Sequence, residues 1–205
     1  MHINVLVRET NTSIEDITET PWAGVDHGVY LLLKDGIMPK YTYGDFDSIT
    51  EAERQFIDEK LEINPVESEK DDTDLEIALL DLTGRGYTSI DVYGATGGRL
   101  DHLLGNTQML LHEKLTDVKI RIIDTQNVVE LLNKGRHDVL KNENMKYVSF
   151  LPMYDGTRLT LAQFKYPLDA AELSLGSTLT ISNEFTGEKG VVETSEPILM
   201  IQSID

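Results

Sequence analysis

The spacing of hydrophobic positions changes about halfway along the chain. Up to residue 115, short β-branched runs alternate with stretches of helical period; beyond it the apolar runs are all short and strand-like. Residues 3–7 read as a continuous buried strand. A short helix is expected over 13–19, a second strand over 22–25, and a helical stretch over 29–33 that stops at Gly36. Residues 40–43 follow Pro39 as a third strand. A helix over 50–60 is opened by Thr50 and Glu53, which have the spacing of a capping box, and turns Ala52, Phe56 and Ile57 inward. Residues 61–66 read as extended. Thr73 and Glu76 repeat the capping spacing, and Leu75, Ala78, Leu79 and Leu82 recur at helical intervals until Gly84 and Gly86. A strand over 89–93 and a helix from about 101 to 115 close the first half.

The second half reads differently. Runs at 118–123, 128–132, 147–151, 158–161, 179–181, 191–194 and 198–201 are punctuated by Gly, Asn, Asp and Pro, the signal of an antiparallel sandwich or barrel. Alternating strands and helices predict a mainly parallel sheet covered on both faces. The expectation is therefore an α/β domain, Rossmann-like and three-layered, over residues 1–122, and an all-β sandwich over residues 123–205.

Composition narrows the class of partner. Of 205 residues, 18 are Lys or Arg and 36 are Asp or Glu, a formal net charge of −18. Such a charge opposes binding to nucleic acid, which depends on neutralising phosphates, and repels anionic membranes. A phosphorylated ligand then needs a divalent cation between it and the protein. No Cys is present, so disulfides and thiolate metal sites are excluded. The first seven residues are too briefly apolar for a signal peptide, and no run approaches the roughly 20 apolar residues of a membrane span. A cytoplasmic location is expected.

Against that background the acidic motifs gain meaning. Asp45 and Asp47 flank an aromatic residue just after a strand, and extended backbone turns both side chains to one side. Two hard oxygen ligands at a strand end suit Mg²⁺; a solvated loop leading into a cap is the plainer reading. Asp71, Asp72 and Asp74 crowd the start of a helix, where they complement its dipole or bind. Gly94–Asp101 forms a glycine-rich turn between strand and helix, where backbone N–H groups can approach an anion, with Arg99 and Asp101 beside it. It has neither a dinucleotide fingerprint nor a P-loop. Asp26 ends another strand. In an open α/β sheet all these positions gather at the carboxyl edge, where ligands bind. The residues alone point to a Mg²⁺-dependent enzyme acting on a phosphorylated small molecule or nucleotide.

Taken together, Gly-Asp-Phe-Asp-Ser-Ile at 44–49, Lys-Asp-Asp-Thr-Asp at 70–74 and Gly-Gly-Arg-Leu-Asp-His at 97–102 with Asn106 resemble the motif set of the thiamine pyrophosphokinases. Phe164–Leu168 and Ser182–Phe185 resemble that family's later motifs, so the likeness spans nearly the whole chain. It implies an α/β nucleotide- and metal-binding domain, a β-sandwich that binds thiamine and dimerises, and a thiamine cleft between the subunits of a homodimer. It implies transfer of the pyrophosphoryl group of ATP to the thiamine hydroxyl. Asp45, Asp47 and Asp74 match the metal ligands; Arg99 would contact phosphate, and Asp101 would orient thiamine or accept the hydroxyl proton. Asp26, Asp71, Thr73, Gly97 and Gly98 are the further nucleotide candidates, and Tyr166, Ser182 and Asn183 the thiamine candidates. Two stretches depart from the family's usual runs: Arg8-Glu9-Thr10 after the first strand and His27 within residues 25–29. The rival readings are a phosphatase with Asp45 as nucleophile, which needs an aspartyl-phosphate, and a non-catalytic sensor on the same scaffold.

Overall fold

A computed structural model describes residues 1–17, 19–47, 49–61 and 72–205. Ser48, Asp71 and nearly all of the expected extended run over 61–66 lie outside these residues. The chain divides into two compact units, Met1–Thr125 and Gln126–Asp205.

In the first unit β1 (His2–Leu6) lies at the centre of a parallel sheet. β2 (Trp22–Val25) and then β3 (Tyr41–Tyr43) pair outward on one side, β4 (Ser89–Tyr93) and β5 (Lys119–Ile123) on the other. The order β3-β2-β1-β4-β5 reverses direction between β1 and β4, and there the loops leaving two adjacent strands diverge to opposite faces. Side chains alternate between faces. Leu6, Trp22 and Tyr93 share one face and cluster with Leu32 of α1 (His27–Lys34). Tyr43 points the other way, donating a 2.7 Å hydrogen bond to Asp81 of α3 (Asp74–Gly84). Helices therefore cover both faces, giving the three layers expected.

α2 (Glu51–Asp58) starts at the reciprocal Thr50–Glu53 capping box and packs Ile57 with Val29, Leu33 and Phe46. α3 buries Leu75, Ala78, Leu79 and Leu82, the set that the helical spacing marks out. α4 (Leu100–Met109) is shorter than its sequence suggests: it ends at Met109, a single 3₁₀ turn follows at Glu113–Leu115, and none of its residues is buried. The helix expected over 13–19 does not form among the described residues there. A single turn stands instead, with Ile17 N–H bonded to Ile14 C=O and Ile17 C=O accepting from the Trp22 indole. Two apolar residues do not offset the cost of nucleating so short a helix.

The second unit is an antiparallel sandwich. β12 (Ile198–Ser203) pairs with β6 (Asn127–Leu132) and β8 (Tyr147–Pro152). The facing sheet runs β10 (Leu168–Leu173), β9 (Thr157–Ala162), β11 (Lys189–Thr194), β7 (Gly135–Leu140). Val148, Phe150, Leu159, Leu161, Phe164, Val192, Ile198 and Met200 fill the core. β7 and β10 escape the hydrophobic pattern because both are edge strands. Each buries only one residue, Val139 and Leu173, and apart from a leucine at one end of each (Leu140, Leu168) its other positions are polar or small. The strand expected over 179–181 is a turn: Leu179 and Ile181 are exposed, while Thr180 is buried and donates to Phe150 C=O.

Candidate active site

The loops leaving β1, β2, β3 and β4, with the starts of α3 and α4, line a cleft of about 620 Å³. It lies at the reversal between β1 and β4, and its size suits a small-molecule ligand. Asp26, Asp45, Asp47, Thr73, Asp74 and Arg99 all contribute, as do Arg8, His27, His102 and Asn106. Every described acid that the sequence singled out in this half, except Asp72 and Asp101, therefore faces one hollow.

Asp26 is the N-cap of α1, yet its side chain makes no capping bond. Its backbone is at φ 47°, a region unfavourable for a side-chain-bearing residue. Its amide bonds to Tyr43 C=O at 2.9 Å, and its carboxylate turns toward the cleft lining. There one oxygen each from Asp26, Asp45 and Asp74 lie within 4.8 Å of one another. Asp26 Oδ1 is buried without a hydrogen-bond partner. Burial pushes its pKa up to about 6, helped by the charges of Asp74, Asp45 and Asp47 and opposed by a bond from the Phe46 amide. A buried carboxylate oxygen without a donor, facing two more carboxylates, fits a hard divalent cation.

The turn after β3 explains how Asp45 gets there. Gly44 takes φ 119° and Phe46 φ 61°, which bends the chain back on itself, and Phe46 anchors the bend in the core. Asp47 donates its backbone N–H to Asp45 Oδ1 at 3.0 Å. Two of the three expected metal ligands, Asp45 and Asp74, thus meet Asp26, and Asp47 lines the same cleft outside that triad. Asp74 opens α3 directly after its N-cap Thr73, whose hydroxyl accepts from Glu76 N–H at 3.3 Å.

The glycine turn lines the same cleft through Gly94, Ala95 and Arg99. Arg99 is the N-cap of α4 and pairs with Asp101 through two bonds, Nη2–Oδ2 at 2.5 Å and Nε–Oδ1 at 3.1 Å. Chiefly through that pairing, the Asp101 carboxyl is held at about 2. Asp101 borders a neighbouring hollow of about 260 Å³ with Thr73, Glu76, His102, Gly105, Asn106 and Met109.

In the second unit Asn183 is 3% exposed, and its side chain is spent on backbone. Oδ1 accepts from the N–H groups of Tyr166 (3.0 Å) and Glu184 (2.9 Å), and Nδ2 donates to Tyr166 C=O (2.9 Å). It holds the Tyr166 segment in place, leaving that ring exposed. Ser182 is exposed at φ 57°, its amide bonded to Ser149 Oγ.

Sequence reasoning gave Arg8, Glu9 and Glu53 no role in the site. Arg8 donates from Nε to Gly94 C=O (2.9 Å) and from Nη2 to Thr96 C=O (2.8 Å). His27 lies between Glu9 (3.3 Å) and Glu53 (3.1 Å) and stacks on Tyr30. The signal was position: Arg8 and Glu9 directly follow a strand whose end must face the site.

A parallel α/β unit with clustered carboxylates and a glycine turn at the carboxyl edge defines a metal-ready, phosphate-accepting enzyme domain, here accompanied by a β-sandwich. Comparison with known proteins makes this specific. A family described as the thiamin pyrophosphokinase catalytic domain matches residues 18–122, and one described as the thiamin pyrophosphokinase vitamin B1 binding domain matches residues 136–199. Thiamine pyrophosphokinase of Bacillus subtilis (strain 168) is 42% identical over 211 residues, covering 99% of each chain. The crystal structure of thiamine pyrophosphokinase from B. subtilis superimposes with a TM-score of 0.91 at 40% identity over 100% of both chains. That of thiamin pyrophosphokinase from Geobacillus thermodenitrificans does so at 0.88 and 38% identity, over 100% of this chain and 98% of that one. The chain belongs to the thiamin pyrophosphokinase family.

Proposed function

We propose that this protein transfers the pyrophosphoryl group of ATP to the hydroxyl of thiamine, giving thiamine diphosphate and AMP. The observation that carries the reading is the convergence of Asp26, Asp45 and Asp74 around an unpartnered buried oxygen, beside the glycine turn. These three carboxylates would hold Mg²⁺, with Asp47 at the rim. When bound, Mg²⁺ neutralises polyphosphate oxygens that a protein of charge −18 would otherwise repel. Membership of the family supports the substrates.

The thiamine oxygen forms a bond to the β-phosphorus as the bond from that phosphorus to the α–β bridging oxygen breaks, and AMP leaves with that oxygen. The protein's task is positioning and charge stabilisation. Arg99 exchanges Asp101 for phosphate oxygens. Asp101, while paired with Arg99, is too weak a base to take a proton; once Arg99 turns to phosphate, it regains basicity and is free to accept the hydroxyl's hydrogen bond and then its proton. Thr73, Gly97, Gly98 and Asp71 contact nucleotide; Asp71 lies outside the described residues. Tyr166 offers thiamine an aromatic face and Ser182 a hydroxyl, while Asn183 acts by holding Tyr166.

The reading extends to a cytoplasmic homodimer with the thiamine cleft between subunits. The absence of Cys fits a reducing compartment, and among the described residues no helix is long and apolar enough to cross a membrane. Support for the dimer comes from α4, which leaves Leu100 73% and Leu104 64% exposed on one face. The test is to incubate the protein with thiamine, ATP and Mg²⁺ and identify the nucleotide product. AMP in step with thiamine diphosphate is expected. ADP would mean an ordinary kinase, and phosphate release independent of thiamine a hydrolase.

A further inference from the structure

Arg8 lies just past the first strand and is built into the cleft. Its Nε and Nη2 hold the carbonyls of Gly94 and Thr96, on either side of Ala95 in the glycine turn. Gly98 lies so close to the guanidinium that a β-carbon there would sit 1.5 Å from Nη1 and 2.1 Å from Cζ. Gly98 does not require a positive φ, so it is the Arg8 side chain and not the backbone that excludes a larger residue. Among the described residues, the N–H groups of Ala95, Thr96, Gly97 and Gly98 have no protein acceptor. The N-terminus of α4 that follows has no side-chain cap bond. The turn's carbonyls thus point at a fixed cation, and its N–H groups are left for something else.

We infer that Arg8 is a positioning residue for the nucleotide's phosphates, acting through the glycine turn. This rests on the reading of the reaction given above. The guanidinium fork fixes two peptide planes at once, which a lysine ammonium cannot reproduce. It also places positive charge behind the turn, in a cleft dominated by carboxylates. The cost of losing it falls on binding of the triphosphate and not on binding of thiamine.

The experiment is a double-mutant cycle between Arg8 and Gly98, read as steady-state kinetics with ATP or thiamine varied, alongside binding of a fluorescent ATP analogue with Mg²⁺ but no thiamine. Arg8→Met is expected to raise KM for ATP about tenfold or more and to leave KM for thiamine within about twofold. Arg8→Lys is expected to do nearly as badly. Gly98→Ala, which must displace the guanidinium, should weaken ATP in the parent and have little further effect in the Arg8→Met background. Unchanged KM for ATP in Arg8→Met, full rescue by Arg8→Lys, or equal cost of Gly98→Ala in both backgrounds would overturn the inference. If Arg8→Met fails to fold by circular dichroism, Gly98→Ala decides, since unchanged ATP affinity there refutes the contact's role. Failure of the parent to make thiamine diphosphate would reject the assigned reaction instead, and analogue binding would still judge Arg8.

Discussion

Gly44 lies against the Asp26 carboxylate so closely that a β-carbon at residue 44 would sit 2.0 Å from Oδ1. The turn that carries Asp45 and the acid that ends β2 are therefore fitted to each other, and the metal triad depends on that fit. Gly44→Ala meets both this collision and a φ of 119°. It is expected to cost more than about 1 kcal/mol of stability and to lower kcat/KM by at least about tenfold. Chemical denaturation and product assays check the two effects.

Asp26 gives the site a pH signature. Burial first, and then Asp74, raise its pKa from 3.8 to about 6. A carboxyl whose folded pKa lies above its unfolded value opposes folding when ionised. The penalty is full above about pH 6, shrinks as pH falls, and is gone below the unfolded value. Without metal, Asp26→Asn should therefore raise the thermal midpoint at neutral pH and narrow the difference between neutral pH and about pH 5. Mg²⁺ should raise the parent's midpoint at neutral pH and leave the variant's nearly unchanged.

The acids at the turn after β3 are separable. Asp45→Asn and Asp74→Asn should lose both turnover and the stabilisation by Mg²⁺. Asp47 lies outside the triad but adds negative charge to the same cleft, which Asp47→Asn removes. The substitution should lower kcat by about tenfold or more while keeping the Mg²⁺-dependent rise in thermal midpoint. Loss of that rise would make Asp47 a ligand in its own right.

Asn183→Ala removes three hydrogen bonds, two of which hold the Tyr166 backbone and one the Glu184 amide. Stability should fall by about 1–3 kcal/mol, because buried backbone groups lose their partners. KM for thiamine should rise more than KM for ATP. Tyr166→Phe, which keeps the ring, should leave KM for thiamine within about twofold.

The parallel character of the first unit was legible because its first strands and helices carry local signatures, although the run at 118–123, read with the antiparallel half, pairs parallel with β4. Residues 3–7 and 89–93 are β-branched, and α2 and α3 start at Thr-x-x-Glu spacings whose caps form. The failures in the second half share a cause. β7 and β10 are edge strands with one buried residue each, and the turn at 179–181 buries its one polar side chain while exposing its neighbours. Hydrophobic pattern reports burial, and these segments are defined by hydrogen bonding to a partner strand or residue instead.

The sequence by itself determined the class of chemistry: three acidic motifs and a glycine turn, each at a strand end or helix start, in a chain too acidic to hold a phosphate unaided. It did not determine which acids meet. The motif resemblance proposed Asp45, Asp47 and Asp74; the fold brings Asp26 to Asp45 and Asp74, because β2 and β3 are neighbours and Gly44 leaves room for the Asp26 carboxylate. Nor did it show that Arg8, 86 residues before Gly94, holds the turn's carbonyls. Pairing β1 with β4 places their carboxyl ends side by side, and contacts of that range come into being only when the sheet has formed.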